Sequence, residues 1–137
     1  MPGFGPVDFS EFVYLLLLGV NSNGMSTYSL LQNKNQRLIE VLNDCVEACN
    51  SCSTQSLREK DVGMLTRCIQ LDRDCADICS LTSEYFSRES EFAAALAKQC
   101  AVICDTCAQE CEKHSHMIHC KECAEICRRC ANECRKV

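Results

Sequence analysis

The sequence lacks tryptophan altogether, and from residue 97 to its C-terminus it contains no leucine, phenylalanine or tyrosine. All five glycines and both prolines lie within the first 63 of its 137 residues. Residues 64–137 therefore cannot readily supply the turns of a multi-stranded sheet. The same residues hold too few large apolar side chains for an ordinary core in their C-terminal part.

Other absences exclude classes of function. The chain carries a net charge of −5 with a pI near 5.2 and no basic cluster, which argues against a nucleic-acid partner. No glutamate is followed by histidine three residues later, which excludes a di-iron carboxylate bundle. No CxxC is followed by histidine, so the c-type haem signature is absent, and so is a glycine-rich phosphate-binding loop. No residue is marked as catalytic by a motif, and we do not expect the protein to be an enzyme.

Residues 1–24 differ in composition from the rest, since they hold both prolines and four of the glycines. They include a nine-residue apolar run at 12–20, which follows Asp8 and Glu11 and is too short to span a bilayer. We expect 1–24 to be a leader segment, either poorly ordered or used for docking, with Met25 as a candidate natural start. We expect no stable membrane insertion and a reducing cytoplasmic location.

Against these absences stands one excess: fifteen cysteines, about 11% of the chain. An odd number rules out complete intramolecular pairing. Nine of the fifteen fall in the stretch without leucine, so cysteine occupies positions where a folded protein normally carries leucine.

Four long helices are expected over residues 25–137, at about 27–56, 62–87, 90–113 and from 115 to the C-terminus. Short connections between consecutive helices predict an all-α, antiparallel up-down-up-down bundle. The candidate N-caps are Ser26 or Thr27, Asp61, Ser90 and Ser115.

Projection at 100° per residue places the cysteines of each helix on one face. The four stripes predict a bundle axis lined with thiols, and we take all of their members as candidate metal ligands: Cys45, Cys49 and Cys52; Cys68, Cys75 and Cys79; Cys100, Cys104, Cys107 and Cys111; Cys120, Cys123, Cys127, Cys130 and Cys134.

Such ladders favour a thiolate metal core. Thiols at i and i+4 project in parallel and fit the torsion of a disulfide poorly. Zinc requires closed sets of four ligands, whereas Cu(I) selects thiolate and accepts low coordination numbers. About one Cu(I) per thiolate also leaves a buried core near neutrality, so we predict several Cu(I) ions per chain. A zinc-buffering or thiol-redox protein, and a structural module with cysteine as core filler, remain the alternatives.

The two ends of the bundle are expected to differ. One end gathers soft or borderline copper ligands, namely Met64, His114, His116, Met117 and His119, and predicts a mouth through which metal enters. The other end predicts an apolar plug, formed by Leu31, Leu38, Leu42, Leu81, Phe86, Phe92 and Leu96.

The cysteine pattern resembles that of the bacterial four-helix-bundle copper storage proteins over about residues 27–137. The motifs that carry the likeness are Cys45-x3-Cys49-x2-Cys52, Cys75-x3-Cys79, Cys100-x3-Cys104-x2-Cys107-x3-Cys111, Glu112-Lys113-His114, and Met117-x-His119-Cys120-x2-Cys123-x3-Cys127-x2-Cys130-x3-Cys134. The resemblance implies a soluble homo-oligomer, commonly a tetramer, that fills its core with Cu(I) through one open end. A copper-delivering chaperone is a further expected partner.

Overall fold

The computed structural model describes residues 9–19 and 35–137. The chain divides into two units, Met1–Lys34 and Asn35–Val137. In the first unit, helix α1 runs over Phe9–Leu18, inside the segment predicted as a leader, and it exposes four large apolar side chains: Val13, Tyr14, Leu17 and Leu18. None of the described helices combines the length and the apolar character needed to cross a lipid bilayer.

The second unit contains four long helices, which confirms the predicted bundle. They are α2 (Gln36–Leu57), α3 (Thr66–Ser87), α4 (Ala93–Glu112) and α5 (Ile118–Arg135), and a short 3-10 helix, Val62–Leu65, precedes α3. Each long helix packs against two neighbours, in the pairs α2–α3, α3–α4, α4–α5 and α5–α2. No strand occurs in residues 9–19 or 35–137.

The helix ends are the part of the fold that the sequence predicts least well. Within the described chain, the four bundle helices begin with no side-chain capping hydrogen bond. Asp61 precedes the 3-10 helix rather than α3, and Ser115 lies three residues before α5 begins. Ser90 Oγ accepts from Phe92 N at 3.1 Å, one turn before α4. Ser26 and Thr27 lie outside the described residues. Side-chain capping therefore does not account for where these helices begin.

The end of α3 closes with a Schellman motif that lacks the usual glycine. Glu89 has φ of 52°, in the left-handed region, and its amide donates to Phe86 O at 3.1 Å. The Ser90 amide reaches back to Tyr85 O at 2.9 Å, so both orphan carbonyls are satisfied. The turn into α4 is thus made at the cost of one strained residue.

An ion-pair network fastens α4 to α5 on the outside of the bundle. Arg128 Nε lies 2.9 Å from Glu112 Oε1, and its Nη1 lies 3.0 Å from Asp105 Oδ1. The guanidinium of one helix thereby bridges two carboxylates of the other, and it helps to hold the register of the two helices that carry nine of the cysteines.

Candidate metal centre

All fifteen cysteines lie on the axis of the bundle as free thiols, and none is more than 1% exposed. They recur at intervals of three and four residues, apart from the seven-residue step between Cys68 and Cys75, so each helix presents a single continuous stripe. Since all four helices turn this stripe inward, the predicted thiol-lined axis is what the structure shows.

Sulfur atoms of neighbouring helices approach to van der Waals contact. Cys68 and Cys111 lie 3.4 Å apart, Cys75 and Cys104 lie 3.5 Å apart, and Cys49 and Cys127 lie 3.6 Å apart. These distances are well beyond the ~2.05 Å of a disulfide bond. One ion bound at about 2.3 Å from each of three or two sulfurs would hold them about 4.0 to 4.6 Å apart, so binding would require these side chains to move outward only slightly.

The thiols form overlapping quartets rather than separate sites. In each quartet all four sulfurs lie within 4.8 Å of one another, and most quartets share a member with the next: Cys45, Cys75, Cys79 and Cys104; Cys45, Cys49, Cys75 and Cys127; Cys49, Cys107, Cys123 and Cys127; Cys79, Cys100, Cys104 and Cys130. A ligand that belongs to two sets favours bridging coordination, which Cu(I) thiolates adopt, over closed tetrahedral zinc sites.

One buried carboxyl group, which was not among the predicted ligands, lies among the thiols. Asp72 on α3 is fully buried, and its Oδ1 accepts from Cys107 at 3.2 Å and from Cys123 at 3.5 Å. Burial, reinforced by the neighbouring thiols, raises the pKa of Asp72 to about 12. The signal was present in the sequence, since Cys68-x3-Asp72-x2-Cys75 repeats the cysteine ladder with aspartate in one position. Asp72 therefore fills the gap in the α3 stripe and places a carboxyl oxygen on the axis, in a group with Cys52, Cys68 and Cys111 that could hold a metal ion.

His119 joins the thiols at the end of the bundle where α2 ends and α5 begins. Its Nδ1 lies 3.6 Å from Cys52 Sγ and 3.4 Å from Cys120 Sγ, and its Nε2 lies 3.2 Å from Glu59 Oε1. Burial acts to lower the pKa of His119, but the hydrogen bonds to Cys52 and Glu59 outweigh it and raise the net value. Hydrogen bonding, above all with the Cys111 thiol, lowers the pKa of Cys52 against the effect of burial.

The same end opens into a cleft of about 340 Å³. Four of the five residues predicted at the mouth line this cleft, together with charged and apolar neighbours; the lining residues are Glu59, Lys60, Asp61, Met64, Leu65, His114, His116 and Met117. His119 does not line the cleft but lies behind Glu59, which does. His114 is buried beside Glu110, at 3.6 Å, and the adjacent Lys113 ammonium holds the pKa of Glu110 below its ordinary value.

The opposite end is apolar, although two predicted members of the plug are on the surface. Leu38, Leu42 and Phe86 are buried there. Leu81 is 39% exposed, because it follows Cys79 by two residues and so lies about 200° around α3 from it. Phe92 is 61% exposed, because α4 begins only after it. Leu96 is half-buried, and Leu31 lies outside the described residues.

Comparison with known proteins agrees with this geometry. The family model described as "Csp: Copper storage protein" matches residues 31–137. The chain belongs to the copper storage protein family. Its function is copper storage rather than catalysis, which confirms the prediction from the cysteine stripes, and the family is the one that the motifs resembled.

Individual members of the copper storage protein family show the same likeness. The Cu(I)-bound copper storage protein BsCsp3, from Bacillus subtilis, is 41% identical with a TM-score of 0.73, covering 76% of this chain and 97% of that one. The Streptomyces lividans protein Ccsp, loaded with 10 copper equivalents, is 39% identical with a TM-score of 0.71, covering 73% and 80%. The cysteine-rich Bacillus subtilis protein YhjQ is 41% identical over 91 residues, which are 66% of this chain and 83% of that one.

Proposed function

We propose that this chain stores several Cu(I) ions along its axis, bound by bridging cysteine thiolates. The observation that carries the proposal is the overlap of the four thiol quartets described above, in which six cysteines each belong to two sets: Cys45, Cys49, Cys75, Cys79, Cys104 and Cys127. Each thiol releases its proton as it binds. About one Cu(I) per thiolate then keeps the water-free interior close to neutral. Asp72 adds an oxygen donor at the level of Cys107 and Cys123.

We propose further that copper enters through the cleft and passes inward by way of His119. Met64 is exposed at the cleft and Met117 is half-buried there, and thioethers are soft ligands for Cu(I). His119 lies between the cleft and the first thiols, in contact with both Cys52 and Cys120. The apolar side chains Leu38, Leu42 and Phe86 close the other end, which leaves one direction of filling.

Anaerobic loading with Cu(I), followed by native mass spectrometry, tests the storage proposal. The spectrum is expected to show many ions per chain, with an upper limit of about one ion per thiol. Saturation at three or four ions would contradict it and would favour discrete sites of the zinc type. Loading with Zn(II) under the same conditions provides the comparison, and reversible disulfides in the apo protein would favour a redox role.

The double variant Met64→Ala, Met117→Ala tests the route. Stopped-flow loading is expected to be several-fold slower than in the unaltered protein, with the same final number of ions, because the storage thiols are intact. Leu57→Ala, which removes an exposed apolar side chain outside the cleft lining, is the control and is expected to load at the ordinary rate. An unchanged loading rate in the double variant would contradict the methionine route.

A cytoplasmic location and a homo-oligomeric state complete the proposal. Fifteen free thiols require a reducing compartment, and the Streptomyces lividans relative is described as cytosolic. The tetramer expected from the sequence is carried over from the family to which the chain belongs. Sedimentation of the native protein measures the assembly, and transfer from a Cu(I)-loaded chaperone measures whether such a partner delivers the metal.

A further inference from the structure

Glu59 connects the cleft to the thiol-lined axis. It lies in the connection that follows α2, lines the cleft, and has 41% of its side chain exposed. Its Oε1 lies 3.2 Å from Nε2 of His119, whose side chain is only 8% exposed. One end of this hydrogen bond is therefore open to solvent, while the other is held inside the bundle.

This contact determines which imidazole nitrogen faces the thiols with a free lone pair. An ionised carboxylate can only accept hydrogen bonds, and a neutral imidazole carries one N–H. Protonated thiols at Cys52 and Cys120 can donate to Nδ1, whereas the Glu59 carboxylate needs an N–H from the ring, so these three contacts are satisfied together when the proton of neutral His119 lies on Nε2. Nδ1 then directs its lone pair toward Cys52 and Cys120, at 3.6 and 3.4 Å.

We infer that Glu59 is a positioning residue for copper uptake, which holds His119 in the Nε2–H tautomer so that Nδ1 receives Cu(I) before Cys52 and Cys120 do. The inference rests on the storage function proposed above. A carboxylate on the outer nitrogen of a metal-binding imidazole fixes its orientation and raises its basicity, and removal of such a partner typically costs 10- to 100-fold in metal affinity.

The test compares Glu59→Ala, Glu59→Gln and Asp61→Ala in the full chain. Asp61→Ala is the matched control, since it removes a carboxylate from the same cleft, and His119 takes its carboxylate contact from Glu59. Long-range ¹H–¹⁵N spectra of the apo protein, recorded where His119 is neutral, report its tautomer. Competition with a chromophoric Cu(I) chelator reports affinity for the first equivalents.

The apo protein is expected to show His119 protonated on Nε2, and Glu59→Ala to show a mixture of tautomers. Glu59→Ala should weaken the first-equivalent affinity about 10-fold. Glu59→Gln, whose amide oxygen still accepts from Nε2, should recover most of this loss, and Asp61→Ala should lose little. An unchanged tautomer in Glu59→Ala, or an equal loss in Asp61→Ala, would overturn the inference.

The two proposals fail in different ways. If storage is wrong, the unaltered protein itself does not take up many ions in the native mass spectrum. If only the role of Glu59 is wrong, the unaltered protein fills normally and Glu59→Ala binds its first equivalents as tightly as the parent. Total capacity in Glu59→Ala is expected to equal that of the parent, because all fifteen thiols remain.

Discussion

At the scale of single residues, Asp72 departs most from ordinary protein chemistry. It is a carboxyl group with no exposed surface, surrounded by thiols, and the pKa near 12 means that it is neutral in the folded apo protein. Its proton is held against bulk water by burial, and the adjacent thiols reinforce this as they begin to ionise. The burial of this polar group therefore lowers the stability of the apo protein, whereas in the loaded protein the same group can act as an oxygen ligand.

The stability of the apo protein should therefore fall with pH because of Asp72. The folded-state pKa is raised above the ordinary 3.8, so the contribution of Asp72 is fully present below about pH 4 and is lost as the pH rises toward 12. The slope approaches about 1.4 kcal/mol per pH unit. Urea unfolding of apo protein and of Asp72→Asn between pH 5 and 7 measures it, and the stability of the variant relative to the parent should increase with pH. A constant difference would contradict a buried neutral carboxyl.

The apolar end gives a second test at residue scale. Leu42 has no exposed surface, so Leu42→Ala should destabilise the apo protein by about 2–5 kcal/mol through the cavity it leaves. Leu81→Ala is the matched control on the neighbouring helix and should cost about 1 kcal/mol or less, because 39% of Leu81 is already exposed and its removal leaves no closed cavity. Chemical unfolding of both variants makes the comparison. Equal losses would place Leu81 in the plug after all.

At the scale of the elements, the spacing of the cysteines, rather than the overall composition, determines which face of each helix lies inside the bundle. Where the bundle helices carry the thiol stripe, their inner faces hold cysteine, alanine or serine in place of leucine, and the large buried side chains Leu38, Leu42 and Phe86 are confined to the closed end. The ends of the helices have fewer stabilising features, since the four bundle helices begin without a side-chain cap. The turn between α3 and α4 uses Glu89 in a left-handed conformation, where a residue with a Cβ is strained.

Glu89→Gly is accordingly expected to stabilise the apo protein, by about 0.5–1 kcal/mol. Relief of left-handed strain outweighs the extra freedom that glycine gives the unfolded chain. Glu91→Gly, two residues further on and without a positive φ, should bring no such gain. The midpoint of chemical unfolding reports both changes. A loss of stability in Glu89→Gly would contradict the strain argument.

At the scale of the whole molecule, copper completes the core. The interior of the apo protein is a column of thiols in weak mutual contact, with few of the large side chains that stabilise other bundles. Ligands that bind only the folded state add to its stability, by about 2.7 kcal/mol for a site at 100 times its dissociation constant. Stepwise Cu(I) loading should therefore raise the melting temperature progressively, and a strong chelator should reverse the rise. A melting temperature independent of loading would contradict metal as part of the core.

The sequence predicted those features that depend on periodicity. Cysteines such as Cys120, Cys123 and Cys127 share one face of any helix that contains them, so the axis followed without a structure. Asp72 was missed because the sequence does not distinguish a buried aspartate within a cysteine ladder from an ordinary exposed one. Phe92 and Ser115 were misplaced because helix ends depend on how neighbouring helices pack, which no local signal reports.

The regular alternation of three- and four-residue intervals between cysteines has a consequence for how the capacity of such proteins can evolve. Every seven residues, or about two turns of helix, place two more thiols on the axis and leave the cross-section as it was. The number of ions that the bundle can hold therefore depends on the length of its helices and not on its cross-section. Insertion or loss of two turns in each helix would rescale the number of ions held, while the mouth, the closed end and the outer surface stayed as they are.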